Sequence, residues 1–274
     1  MTKWQFPNCL GAIDGGHMRV QAFPNSGSAF YNYKQFFSMI LLAICDAAYK
    51  FTWVDIGQYG SISDGGVWIN TDLAHDLTAG NVPLPDPTPL PGTNIPFPFF
   101  FIGNEAFPLT SYMLRPYPRK ELTDDMRIFN YRLSRARCTI ENAFGILTAR
   151  WRILQKPLCM STTNCEYVFR ALVCLHNFIM IGEEHKTINN RRYCTSDLID
   201  TEENDGSIRE GYWRQHFYPQ FAEVRRMGAN RAGSIPKDMR NYLKEYFVSP
   251  TGENQVPWQY EYAFRGATIT HPPQ

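Results

Sequence analysis

Charge of one sign is the first thing this sequence lacks: 27 Lys and Arg face 26 Asp and Glu in 274 residues, a formal net charge of +1. A chain so balanced has no bulk electrostatic pull toward nucleic acid or an anionic membrane. With 44% apolar residues it is not a disordered polyelectrolyte either. Long hydrophobic runs are missing too. The longest, FFSMILLAIC at 36–45, is too short to cross a bilayer and is flanked by Lys34 and Asp46. No membrane is therefore expected among its partners. The opening residues, MTKWQFPNCLGAIDGG, hold one Lys and no apolar core, unlike a secretory signal. The seven cysteines include no CxxC pair, which speaks against a disulfide framework and for a reducing compartment. Cys159, Cys165, Cys174 and His176 do not have the spacing of a zinc knuckle. His176, within an apolar stretch, reads as a core histidine. The absence of GxSxG, P-loop and HExxH motifs removes three large hydrolase classes.

What is present is an alternation of strand-like and helix-like segments. Short apolar runs at 9–13, 35–45 and 51–56 predict three strands, the last two forming an antiparallel hairpin. Residues 61–77 have the spacing of one helix, with Ser63 as its cap. Seven prolines in the seventeen residues of 82–98 exclude a helix or inner strand and predict an extended surface connection. FFFI at 99–102 follows as a buried strand. From 122 to 155 no proline occurs. Ile128, Ala136, Ile140, Phe144, Leu147, Trp151 and Leu154 make a helical stripe there, with Asp124 and Asp125 in the first turn. Residues 167–181 (YVFRALVCLHNFIMI) predict a second helix, apolar enough to be buried all round. Residues 183–210 read as an acidic linker. An aromatic-rich segment at 213–221 and a short helix at 235–247 belong to a C-terminal extension, 211–274. The order predicts an α/β core over 1–182, a sheet with helices on its faces, with 83–98 as an insertion loop.

Oxygen-bearing side chains fall at strand ends and on the long helix. Asp14 closes the first strand in GAIDGG, Asn104 follows the fourth in FFFIGNEAF, and Glu141 lies mid-helix. Three such groups meeting at one sheet edge suit a hard divalent cation. Two ions ~4 Å apart can drive phosphodiester cleavage. Asp64, in GSISDGG, is a further candidate ligand, although an acidic residue at a helix start also has a capping explanation. His17, three residues after Asp14, is near enough in sequence to approach a scissile phosphate.

Six linked segments carry a family resemblance: GAIDGGH (11–17), GQYGSISDGG (57–66), IGNEAFPL (102–109), RPYP (115–118), FNYRLSRARCTIENAFGIL (129–147) and LHNF (175–178), with WQ at 258–259 as a tail signature. Together they resemble the PIF/Harbinger transposases and the nucleases derived from them, a DDE superfamily. The resemblance implies an RNase H-like core with a mixed five-stranded sheet flanked by helices, Mg2+- or Mn2+-dependent DNA cleavage and strand transfer, and one or two ions at the site. It assigns Asp14 and Glu141 as the first and third acidic ligands. The family's second ligand is the Asp of a G-D-x-A-[FY] segment, and here that position is Asn104. A neutral amide removes one unit of charge from the site, which predicts weak metal binding and impaired cleavage. The alternative is a domesticated, non-catalytic nuclear module that binds DNA or protein on the same fold.

Local charge corrects the neutral average. Residues 115–156 hold ten cations against four acids. Arg132, Arg135, Arg137, Arg150 and Arg152 are the candidate DNA contacts around Glu141, neutralising phosphates. No recognition helix or zinc finger is seen, so sequence-specific reading falls to another segment or protein. The resemblance further implies transposon-end DNA as substrate, a Myb/SANT-like partner protein, and residence in the nucleus, or in the cytoplasm without that partner. It also implies that the N-terminal DNA-binding segment of relatives is absent here. A homo-oligomer is compatible with all of this.

Overall fold

The computed structural model describes residues 4–217 and 232–264. Three long strands start the chain: β1 (Cys9–Arg19), β2 (Ser38–Cys45) and β3 (Phe51–Tyr59). They pair as an antiparallel meander, with Ile13 opposite Ile44 and Leu42 opposite Asp55. Between β2 and β3 the Asp46 carboxylate accepts from the Ala48 and Lys50 amides at 2.8 and 2.9 Å, and this Asx-type closure sets the hairpin.

Every residue of β2 is buried. Successive side chains point to opposite faces, so Leu41, Ala43 and Cys45 enter one apolar cluster and Ile40, Leu42 and Ile44 another. A strand apolar on both faces needs cover on both faces. On one side that cover is α1 (Asp64–Trp68) and α2 (Asp72–Ala79). The spacing of 61–77 predicts one helix, but the structure has two. Thr71 caps α2 by accepting from the Ala74 amide, and the chain turns at 69–71 to bring it in.

The proline-rich stretch runs over the surface, and its tip closes as a two-stranded ribbon, β4 (Thr88–Pro89) with β5 (Pro96–Phe97). Leu90 and Phe97 anchor it in the core. β6 (Phe100–Ile102) then pairs parallel to β1, and β7 (Met113–Leu114) parallel to β6. The result is a five-stranded mixed sheet in the order β3-β2-β1-β6-β7, flanked by helices.

α3 (Asp124–Arg150) covers the second face, packing on β1 and β2 through Phe129, Ile140 and Phe144. After a 3-10 turn, α4 (Thr162–Glu183) packs against β3. A small ribbon, β8 (Thr201–Glu202) with β9 (Ile208–Arg209), leads to α5 (Tyr212–Phe217), α6 (Ser234–Phe247), α7 (Pro250–Gln255) and α8 (Gln259–Ala263). α5, α6 and α8 lie on the outer side of α3, so α3 is enclosed between them and the sheet.

Three expectations change. β1 does not stop at Asp14 but runs on through Gly15 and Gly16, which pair with Leu42 and Leu41. α4 is not buried all round: Tyr167, Leu175, Phe178 and Ile181 are exposed, because only one face of the helix meets the sheet. Residues 183–210, expected as a linker on their acidity, put Tyr193, Cys194, Leu198 and Ile199 into the core beside α3. The expected aromatic segment at 213–221 and the extension at 211–274 lie in part outside the described residues.

Candidate functional site

Asp14 sits in the middle of β1, where that central strand faces α3. Its Oδ2 accepts from Arg137 Nη1 at 2.7 Å, and Arg137 Nη2 donates to Glu141 Oε1 at 2.9 Å. Arg137 and Glu141 are one helical turn apart on α3, so a single guanidinium spans the strand acid and the helix acid. Asn104, in the loop after β6, donates from Nδ2 to Asp14 Oδ1 at 3.2 Å. Its own Oδ1 accepts from the Ala106 amide at 2.8 Å. That backbone donor fixes which atom is oxygen, so the amide presents an N–H, not a carbonyl, to Asp14.

Asp64, in the first turn of α1, arrives from the other face of the sheet. It is fully buried, and neither carboxylate oxygen has a hydrogen-bond partner of good geometry. Burial, and then the adjacent Asp14 charge, push its carboxyl well above the usual carboxylate range. Space for it comes from Gly15, where a Cβ would lie 2.0 Å from Asp64 Oδ1. Gly15, the residue after Asp14, therefore admits a second carboxyl group against the sheet.

The structure thus brings Asp14, Asn104, Glu141 and Asp64 to one region of the sheet. Among the described residues no group of three His, Cys, Asp or Glu side chains is already arranged around a metal position. Arg137 accounts for this, since it stands between Asp14 and Glu141. The donor set nevertheless fits a hard cation: all its anionic atoms are carboxylate oxygens, and Asp64 is an orphaned buried acid beside Asp14.

Three more charged groups, which sequence reasoning missed, complete the site. Arg214 of α5 donates to Glu141 Oε2 at 2.9 Å and to Asp200 Oδ2 at 2.6 Å. Burial opposes its charge, yet Asp200 and Glu141 hold it above the ordinary arginine value. Lys34, in the β1–β2 loop, lies within the fields of Asp64 and Asp14, and burial brings it down to about 8. No motif marks Arg214 or Lys34, and Asp200 stands among linker-like acids. His17 is buried, its Nδ1 on Ser38 Oγ at 2.9 Å; burial and the Lys34 charge bring it to about 4.

Two of the expected DNA contacts require correction. Arg132 is fully buried and donates to the Gln5 and Gly252 carbonyls at 2.6 and 2.9 Å and to the Gln255 and Gln259 side chains. Arg135 is buried too, paired with Glu202 and packed near Tyr131 and Trp258. Both face the C-terminal helices, which cover that side of α3, so no phosphate reaches them. Arg137 belongs to the acidic site. Arg150 and Arg152 are exposed at the C-terminal end of α3. His176 takes Tyr49 O and Tyr193 Oη with its two ring nitrogens, while Cys159 and Cys174 are exposed.

A family model described as DDE superfamily endonuclease matches residues 13–177, which includes all four oxygen-bearing residues. This chain belongs to the DDE superfamily endonucleases. An ALP1-like protein of Arabidopsis thaliana is 30% identical over 193 residues, 68% of this chain and 46% of that protein. HARBI1 of Mus musculus, named provisionally as a nuclease, is 26% identical over 175 residues, 62% of this chain and 46% of its own. HARBI1 of Homo sapiens is 25% identical over 183 residues, 65% and 47% of the two chains. The matched part spans about half the length of these curated relatives. No solved structure matches this chain.

Proposed function

We propose that this DDE-family chain carries an RNase H-like, Harbinger-type nuclease core that cleaves DNA phosphodiester bonds with the help of Mg2+ or Mn2+. The observation that carries the reading is Asp64: a fully buried acid whose oxygens make no hydrogen bond of good geometry, beside Asp14, in a site whose third acid is Glu141. Two adjacent buried acids ionise together only at high cost unless a cation offsets their charge. Asp14, Asp64 and Glu141 would hold the ion, with Asn104 at the position of the family's second acidic ligand. The ion would supply charge neutralisation at the scissile phosphate and activation of water. The protein's own part is to hold the acids in place and to keep Arg137 available as their counter-charge. Arg150, at the end of α3, and Arg152, in the 3-10 turn after it, are the exposed candidate cations that remain for the DNA backbone.

Asn104 limits the activity. Its amide N–H faces Asp14, so it consumes a ligand oxygen and contributes none. The family kinship also motivates nuclear action on transposon-end DNA with a Myb/SANT-like partner supplying sequence recognition. The second reading, a non-catalytic DNA- or protein-binding module, is favoured by Asn104 and by the ion pairs of Arg137 with both acids.

Cleavage of terminal-repeat DNA with Mn2+ separates the two readings. Wild type is expected to nick slowly, Asp14→Asn not at all, and Asn104→Asp at least about tenfold faster, the scale of one lost ligand interaction. No cleavage by wild type or Asn104→Asp, with DNA binding intact, would establish the non-catalytic module instead.

A further inference from the structure

Within Glu141-Asn142-Ala143-Phe144-Gly145, three residues act on a part of the chain far away in sequence. Asn142 Oδ1 accepts from the Asp200 amide at 2.9 Å and from Trp213 Nε1 at 2.8 Å. Gly145 leaves room for the Trp213 indole; a Cβ there would lie 2.4 Å from the ring. Glu141 accepts from Arg214, the next residue. The acidic helix therefore carries its own docking site for residues 198–214, all of which lie beyond the segment matched by the family model.

Arg214 is aimed, not merely near. Asp200, buried to 1% exposure, accepts from the Gly211 amide at 2.9 Å and from Arg214 Nε at 2.9 Å. The guanidinium also lies over the Trp213 ring, 4.5 Å from its centroid. With one edge fixed on Asp200, its Nη2 reaches Glu141 Oε2. A planar guanidinium gripped on one edge has little freedom left on the other.

We propose that Arg214 is a positioning residue for Glu141: it holds Oε2 so that Oε1 faces Asp14, and residues 198–214 are thereby a working part of the site. This rests on the nuclease reading above. The two arginines on Glu141 then act in opposite senses. Arg137 bonds the oxygens that Asp14 and Glu141 turn toward each other, so it competes with a divalent ion for them. Arg214 bonds the far oxygen and keeps the carboxylate oriented whether or not an ion is present. Outer-shell partners of metal-binding carboxylates typically affect ion affinity by about 10–100-fold.

The test is Mn2+ binding to the full chain, read by the electron paramagnetic resonance signal of free Mn2+ and by calorimetry, with no substrate. Arg214→Gln is expected to weaken binding by about 10–100-fold. Arg137→Gln is expected to tighten it, and Arg214→Lys to fall between wild type and Arg214→Gln. Trp213→Phe, which keeps the ring but loses the bond to Asn142, should weaken binding in the same direction by less. It serves as the readout should Arg214→Gln fail to fold. Unchanged affinity in Arg214→Gln or, in that case, in Trp213→Phe, while Asp14→Asn abolishes binding, overturns the role of Arg214 and leaves the nuclease reading standing. Absence of Mn2+ binding in wild type overturns both.

Discussion

The two longest helices, α3 and α4, invert the usual relation between sequence polarity and burial. α3 is rich in arginine and still buries Arg132, Arg135 and Arg137 together with Thr139, Asn142 and Thr148. α4 is far more apolar and leaves Tyr167, Leu175, Phe178 and Ile181 exposed, Phe178 to 75%. By length and composition alone α4 could cross a bilayer. Its inner face instead meets β3, where Asn177 exchanges hydrogen bonds of 2.9 and 2.7 Å with the Phe51 backbone. Position in the layers sets the difference. α3 lies between the sheet and the C-terminal helices and must satisfy polar groups on every side, whereas α4 is covered on one side only. Composition alone therefore fails as a guide to which helix holds the site.

The sharpest break of this contrast is Arg132→Ala. Burial, reinforced by the charge of Arg135, brings Arg132 down to about 9, and its acceptors are two carbonyls and two glutamine amides. Removing it leaves those acceptors unpaired beneath α7 and α8. The expected loss is about 2–4 kcal/mol in urea unfolding, the scale of several buried acceptors left without a donor together with the lost packing. A loss near zero would mean that α7 and α8 do not close over α3 in solution, and Arg132 would return to the set of exposed, DNA-facing cations.

The same contrast explains what could be read from the sequence and what could not. Four of the five strands, the antiparallel β2–β3 hairpin and the residues Asp14 and Glu141 follow from apolar runs, glycine punctuation, a helical stripe and linked motifs, whereas the two-residue strand β7 is too short to leave a pattern. Asp64 reads equally as a candidate ligand and as a helix-capping acid, because its burial depends on the missing Cβ of Gly15. Arg214 and Asp200 leave no such trace, since Arg214 meets Glu141 and Asp200 holds Arg214 through a fold-back of the chain that no period or spacing encodes. Arg132 and Arg135 were misread because a row of arginines near an acidic site looks the same whether it faces solvent or a covering layer. The exposed face of α4 was misread for the complementary reason: an apolar helix shows its hydropathy, not its neighbours.

A titration probes the inner face of α4. Burial takes His176 from 6.5 down to about 4, against a smaller opposing effect of the Tyr49 carbonyl. Trp151 donates to Tyr193 Oη at 2.9 Å, which leaves the Tyr193 hydroxyl proton for His176 Nδ1, while Nε2–H donates to Tyr49 O. Such a network requires a neutral ring. The unfolded chain binds a proton below pH 6.5 and the folded chain only near pH 4, so the stability is complete above pH 6.5 and is lost as pH falls toward 4. The loss should reach about 3 kcal/mol. His17 carries a similar shift, so His176→Gln is expected to remove about half of the combined pH dependence of urea unfolding between pH 6.5 and 4.5. An unchanged slope would show that His176 accepts its proton while folded, and that the inner face of α4 is wetter than its packing implies.

The smallest expected effect tests the outer face of the same helix. An exposed side chain that gains little burial on folding contributes little to stability, so Phe178→Ser should shift unfolding by no more than about 0.5 kcal/mol. Cleavage and Mn2+ binding should be unaffected, because α4 contributes none of the site's charged groups. A loss above about 1 kcal/mol would mean that the ring is covered in solution and that α4, like α3, is enclosed on both sides. Dependence of that loss on protein concentration would identify the cover as a second copy of the chain, since association stabilises by mass action and folding alone does not.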